Sequence, residues 1–317
     1  MPSLQETIIE DERTAAHIGE TSTVETPLLS SSSIETNSNG TVYYLAYGSN
    51  LSKATFRGMR GINPLSSQNV HVPSLDLTFD LPGMPYSEPC FANSRYRDIN
   101  APPTKSPYHK DRWQNGMIGV VYEVTIDDFR TIIKTEGGGV GYQDVIVDCF
   151  VLPEGVKSLD KGLRQDGTAI RAHTLLASRD NTSGWATRAD PSYAQPSARY
   201  LGLIISGGEE HNLPADYMEY LKDIRPYRVT TFRQKVGKRV FGATWWTGLM
   251  FIFTMGRLLS GKDGRVPGWY AVIMKAYIQL LFFVYDNVLK KVFGDGERTI
   301  EDAVAAKQFR RVRVSEK

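Results

Sequence analysis

Cysteine is scarce in this chain of 317 residues, which holds only Cys90 and Cys149. Two cysteines cannot build the dense disulfide framework of a secreted protein, so a reducing compartment is expected. Histidine is equally thin: the five residues at 17, 71, 109, 173 and 211 never fall at a ligand spacing such as His-x-x-x-His, and no metal is expected. There is no Gly-x-Ser-x-Gly elbow, and the glycine cluster at 137–141 lacks the Lys-Ser or Lys-Thr that would complete a phosphate loop, so ordinary hydrolase and nucleotide motifs are excluded. The first residues carry no basic stretch followed by an apolar run, and their acidity argues against a mitochondrial presequence. The default address is therefore cytoplasmic. No internal repeat is visible.

What the chain does have is 41% hydrophobic residues, enough to bury one large core or two small ones. Its net charge of +2 hides an asymmetry. Residues 1–221 carry 18 basic against 27 acidic side chains, whereas residues 222–317 carry 19 against 8. The acidic part is expected to be soluble alone, and the basic part to meet an anionic surface.

Residues 1–40, rich in Ser, Thr and acid with few apolar side chains, read as a disordered tail. Val42 to Leu45 form a strand that runs into the turn Gly48-Ser49-Asn50. Further strands are expected from Val70 to Leu81 with a break at Pro73, at Met117–Val124, at Tyr142–Leu152 and at Ala169–Ala177. Residues 84–115 read as irregular. A helix with Asp127 near its N-cap shows Phe129, Ile132 and Ile133 on one face and stops at Gly137-Gly138-Gly139. Proline opens two more helices, at 196–205 and 214–224. Strands and helices do not alternate strictly, which favours a compact α+β core built as a closed or nearly closed barrel.

Three features could carry chemistry. Tyr47-Gly48-Ser49-Asn50-Leu51 follows a buried strand, where glycine lets backbone N–H groups face a ligand, although Gly-Ser-Asn is also plain turn chemistry. Glu136 ends a helix, where the negative end of the dipole and partial desolvation favour the proton-bound form of a carboxyl, a property suited to proton transfer. Taken alone, it equally describes a solvated glutamate at a frayed helix end. Pro196-Ser197-Ala198-Arg199-Tyr200 and Gly207-Gly208-Glu209-Glu210 to Leu213-Pro214 read by themselves as capped helix ends.

In this order, and with Gly119-Val120-Val121-Tyr122 and Thr135-Glu136-Gly137 between them, these segments resemble the γ-glutamylcyclotransferase family over about residues 42–225. The resemblance implies a small mixed β-barrel with flanking helices that releases 5-oxoproline from a γ-glutamyl amine without cofactor or metal. Glu136 would be the catalytic acid and base. Tyr47, Gly48, Ser49, Asn50 and Leu51 would bind a small-molecule γ-glutamyl substrate, and Tyr142 and Tyr200 would match pocket tyrosines. Tyr142 stands one residue nearer the glutamate than in the family pattern, and a further pocket tyrosine is replaced near Thr174. The terminal extensions look like those of the filamentous-fungal branch, in which some members strip γ-glutamyl groups from glutathione conjugates during sulfur-containing secondary-metabolite synthesis.

This divides the chain into an acidic tail at 1–40, a catalytic domain at 41–235 and a basic, apolar helical extension at 236–317. Residues 240–256 carry no charge, and Trp269–Phe293 keeps its polar residues on one helical stripe. Attachment of residues 240–293 to a membrane surface and packing on the core or on a second subunit, as in a homodimer, both stay open; nucleic acid is not expected. A non-catalytic binding protein that kept the fold, and a γ-glutamyl amidase that uses water, are the competing functions.

Overall fold

The computed structural model describes residues 34–98, 100, 110, 112–136, 138–159, 169–177, 188, 190 and 192–301. The chain divides into two units, Met1–Glu35 and Thr36–Lys317, and all that follows concerns the second. Gly137 and the residues expected at 302–317 lie outside the described set.

A closed barrel runs β1 (Val42–Ala46), β5 (Met117–Val124), β2 (Ser66–Val72), β6 (Gln143–Val151), β7 (Ile170–Leu176), and returns to β1. The β1–β7 contact is parallel, with Tyr44 opposite His173, while the other pairs are antiparallel, so the barrel is mixed as expected. β5 is apolar along nearly its whole length because β1 and β2 flank it and both of its faces are covered.

The segment read as irregular contains a strand. β4 (Glu88–Tyr96) pairs with β3 (Leu75–Met84) in a separate two-stranded sheet whose register shifts between Thr78 and Leu81. Pro89, and burial along β4 that does not alternate residue by residue, erase the two-residue rhythm by which a strand is recognised.

Helix α1 (Ile126–Thr135) starts beside Asp127, whose place is two residues after the N-cap. Thr125 is the N-cap, and its hydroxyl accepts the Asp128 amide at 3.1 Å. Asp127 and Asp128 fall in the first turn, where they complement the helix dipole. Phe129, Ile132 and Ile133 are buried, each contributing about 1.5–3 kcal/mol. α2 (Ala198–Glu210) and α3 (Ala215–Asp223) follow, with the Ser197 hydroxyl capping α2 by accepting the Tyr200 amide at 3.0 Å.

The C-terminal part forms a helical hairpin. α4 (Phe232–Leu259) starts at a capping box in which Thr231 and Gln234 exchange hydrogen bonds. α5 (Gly268–Val284) runs into a π-helical turn (Tyr285–Leu289) and a last short helix, α6 (Lys290–Phe293). One face of this hairpin is core: Phe241, Leu249, Ile252, Met274, Ile278, Leu281 and Phe282 pack with Leu81 and Tyr86 of the β3–β4 hairpin.

Tyr86 shows how closely the extension is built in. It is a non-glycine residue at φ +65°, held there by a 2.6 Å hydrogen bond from its amide to the Gly296 carbonyl and by its hydroxyl, which donates to Gly294 O at 2.8 Å. Further on, Glu297 accepts from Arg188 at 2.6 Å, the Thr299 amide donates to Gln195 Oε1 at 2.7 Å, and Arg298 Nε donates to Tyr193 O at 2.7 Å.

A chain cut after Tyr227 would therefore uncover Tyr86, Leu81 and Phe91. At about 1.5–3 kcal/mol per side chain, against a typical stability of about 5–15 kcal/mol, that loss is large. The expected outcome is an aggregating fragment without a cooperative melt in circular dichroism; a monodisperse fragment with the full-length melting temperature would contradict it.

Candidate active site

The turn after β1 and the end of α1 meet. Gly48 leads into a 3₁₀ turn, Ser49–Leu51, which places the Asn50 side chain, only 4% exposed, beneath the C-terminus of α1. Asn50 Nδ2 donates to Tyr44 Oη at 2.8 Å and to Glu136 Oε1 at 3.1 Å, while Asn50 Oδ1 accepts from Arg60 Nε at 2.7 Å. This fixes the amide orientation, because a flip would set its oxygen against the carboxylate and its NH₂ against the guanidinium.

Arg60 completes the cluster. Its remaining nitrogens donate to Thr135 Oγ1 and to Glu136 Oε1. Glu136 is thus ion-paired at the end of α1, with its side chain 22% exposed. Both polar contacts fall on Oε1, and Oε2 takes no hydrogen bond from the described residues. One oxygen is anchored and the other is presented.

Four tyrosines surround this carboxylate. Burial pushes the hydroxyls of Tyr44, Tyr47, Tyr142 and Tyr200 above the ordinary tyrosine value, and the charge of Glu136 adds to the rise in each. At neutral pH all four remain neutral phenols, able to orient a ligand without carrying charge. Tyr200 Oη receives the Ala92 amide at 3.1 Å and borders Gly48, and Tyr47 Oη donates to Leu175 O at 2.5 Å.

Leu51 has a different place. It is fully buried under α2, where a Cβ on Gly207 would stand 2.4 Å from the Leu51 carbonyl carbon. Glycine at 207 is what lets α2 press directly on the turn that carries Asn50. Thr174, the position of the replaced pocket tyrosine, donates to Leu45 O at 3.1 Å and is fully buried within the barrel.

The far side of the site rests on the C-terminal hairpin. After Glu136 the chain turns through Gly138 at φ +62°, whose carbonyl accepts the Val266 amide at 3.0 Å and whose missing Cβ leaves room for the Val266 side chain. The loop between α4 and α5 thus buttresses the turn that holds Glu136.

Sequence reasoning had brought out Glu136 and the 47–51 turn but not Arg60 or Tyr44. Tyr44 looked like an ordinary strand residue, and nothing separates Arg60 in the sequence from its neighbours Lys53 and Arg57. A concavity of about 270 Å³, lined by Lys53, Phe56, Arg57, Ser67, Tyr122, Glu210 and His211, contains none of the converging groups. His173 and Asp144 form another buried pair at 2.9 Å, with the imidazole packed on Phe129 under α1, where they tie β7 to β6. Among the described residues no cluster of His, Cys, Asp and Glu could hold a metal.

No protein-family model matches the chain. It is 33% identical over 265 residues to a Gamma-glutamyl cyclotransferase gliK of Aspergillus fumigatus, across 82% of this chain and 90% of that relative. It is 28% identical over 263 residues to a Gamma-glutamyl cyclotransferase aclK of Aspergillus oryzae, across 81% of this chain and 90% of the relative. A solved Gamma-glutamyl cyclotransferase structure aligns with a TM-score of 0.41 and 18% identity, over 64% of this chain and 99% of the other, a score too low to carry an argument.

Two expectations follow from the geometry. Arg60→Met, which keeps the aliphatic stem and removes every donor, should lower stability in urea by about 1–2 kcal/mol through the loss of charge-assisted hydrogen bonds, and an unchanged midpoint would show the cluster to be energetically idle. Gly207→Ala should destabilise by about 1–3 kcal/mol as the new methyl forces α2 off the turn. Gly202→Ala on the same helix, where nothing lies within 4 Å, should be neutral or stabilising by up to about 1 kcal/mol.

Proposed function

The chain belongs to the γ-glutamylcyclotransferase family, and from that premise we propose that Glu136 Oε2 carries the proton in an intramolecular ring closure that releases 5-oxoproline. Oε2 takes a proton from the α-ammonium group of a γ-glutamyl amine. The freed nitrogen attacks the γ-carbonyl carbon, a C–N bond forms in a five-membered ring, the same glutamate returns the proton to the departing amine as the original γ-amide C–N bond breaks, and the second proton of the ring nitrogen passes to solvent to leave the neutral lactam. Nucleophile and electrophile belong to one substrate, so the protein's work is to fold the γ-glutamyl arm and to move a single proton.

The observation that carries this reading is the division of labour within one carboxylate. Oε1, tied to Asn50 and Arg60, cannot drift, while Oε2 takes no bond from the described residues and remains open to substrate. Asn50 belongs to the same turn as Gly48 and Ser49, so N–H donors of that backbone and the carboxylate act within reach of each other; the donors would hold the substrate's carboxylate or its carbonyl oxygen as negative charge develops. The four neutral tyrosines would orient the substrate through their hydroxyls.

The departing amine is an amino acid, the cysteinylglycine of glutathione, or an S-substituted form of it. The terminal extensions, which look like those of the filamentous-fungal branch, are the feature that favours the S-substituted form and, with it, a place in sulfur-containing secondary metabolism. Cys90 and Cys149 are both unpaired and buried, with burial raising each thiol to about 12, which suits a cytoplasmic, reducing setting.

The test is mass spectrometry of the purified chain with glutathione, a γ-glutamyl amino acid and a glutathione S-conjugate. The expected product is cyclic 5-oxoproline, with Glu136→Gln lowering turnover by about 10² to 10⁴-fold in a chain that circular dichroism shows still folded. Free glutamate in its place would show an amidase that uses water. No turnover of any of the three would favour a binding protein that kept the fold.

A further inference from the structure

We propose that the outward faces of α4 and α5 dock this chain on an anionic lipid surface, lying in the plane of the headgroups without crossing the bilayer. Twelve of the sixteen large hydrophobic side chains exposed among the described residues lie between Phe232 and Val292. On α5, Trp269, Ile273 and Phe283 follow helical spacing on the face opposite the buried Tyr270, Met274 and Leu281; on α4, Trp246, Phe251 and Leu258 stand out while Leu249, Ile252 and Gly256 face inward. Phe251 is 64% exposed, Leu258 71% and Phe283 66%. A soluble protein rarely leaves so many large apolar groups together in water without a partner.

Charge selects the partner. Residues 232–294 carry ten lysines and arginines against two acids, Asp263 and Asp286. Lys235, Lys238 and Arg239 precede the apolar stretch of α4, Arg257 and Lys262 stand at the tip of the hairpin, and Lys291 closes it; all six are exposed, and none forms an ion pair among the described residues. A second copy of this chain on the same faces would set one cationic rim against another. Anionic headgroups would neutralise that rim while the acyl boundary took up the apolar side chains, and Trp246 and Trp269 suit that boundary because indole is apolar with one polar edge.

The buried faces decide between lying on a membrane and crossing it. Among the described residues one helix, Gly268–Phe293, is long and apolar enough to span. Its inner side, however, is committed to the protein, with Tyr270 Oη donating to Ile252 O at 2.8 Å and Met274, Leu281 and Tyr285 in the core around Tyr86. Crossing would require pulling that side out of its own fold, whereas docking uses only what is already outside.

The test is sedimentation of the full-length chain with vesicles of phosphatidylcholine alone and of phosphatidylcholine mixed with phosphatidylserine, paired with the double variant Phe251→Glu and Ile273→Glu. Wild type should sediment with the mixed vesicles, with a blue shift in tryptophan emission, and should be released as salt rises. The double variant should bind at least about tenfold less while its melting temperature and its turnover of a soluble substrate stay as in wild type. Wild type left in the supernatant with both vesicles, equal sedimentation with the neutral ones, or unchanged binding by the double variant would each overturn the proposal. So would a lipid-free dimer that the double variant splits, since the face would then belong to a second copy.

Discussion

The bond between Asn50 and Glu136 joins two parts of the chain that are 86 residues apart, and the geometry of the site depends on it. A carboxylate at the end of a helix has rotamer freedom and a preference for water; a side-chain amide from the neighbouring turn removes the first and Arg60 offsets the second. Each of the three groups is held by others. Arg60 also grips Thr135, the last residue of α1, so that the helix end and the carboxylate move as one piece. Asn50 is pinned by Tyr44, which sits in β1 opposite Tyr122 of β5. The barrel thus sets the height of the turn, and α1 sets the height of the glutamate.

Pressure from outside keeps the two together. α2 can reach the turn only because position 207 has no side chain, and the loop at the tip of the C-terminal hairpin fits against Gly138 for a similar reason. The cluster of Asn50, Arg60 and Glu136 therefore lies between α2 and an extension that the barrel by itself would not include. Fixing the carboxylate from both sides costs conformational freedom before substrate arrives, which is the condition under which one positioned acid and base can serve both proton steps.

The sequence made the contiguous parts of the site legible and left the distributed parts hidden. Tyr47 to Leu51 form one unbroken turn after a strand, and Glu136 stands out because a glutamate followed by glycines at a helix end is unusual. Arg60 carries no such local mark: it is the residue that caps a short π-helical turn, Ala54–Met59, and only folding shows that it points inward whereas Arg57 does not. Strand β4 stayed hidden because its burial follows packing against α2 and the C-terminal hairpin, which no two-residue rhythm encodes. β1 and β5 were readable for the opposite reason, since their covered faces made them plainly apolar.

The C-terminal hairpin resolves a choice that its sequence could not. An apolar stretch beside basic clusters fits a buried helix and a membrane-bound one equally well, because composition counts side chains without saying which way they point. In the fold each long helix has two distinct faces. Its inner face completes the core around Tyr86 and supports the turn behind Glu136, and its outer face repeats large apolar side chains for which that core has no room. Uniform hydrophobicity around these helices is thus the sum of two one-sided demands, and a weak amphipathic pattern in the sequence is what two partners on opposite sides of one helix should produce.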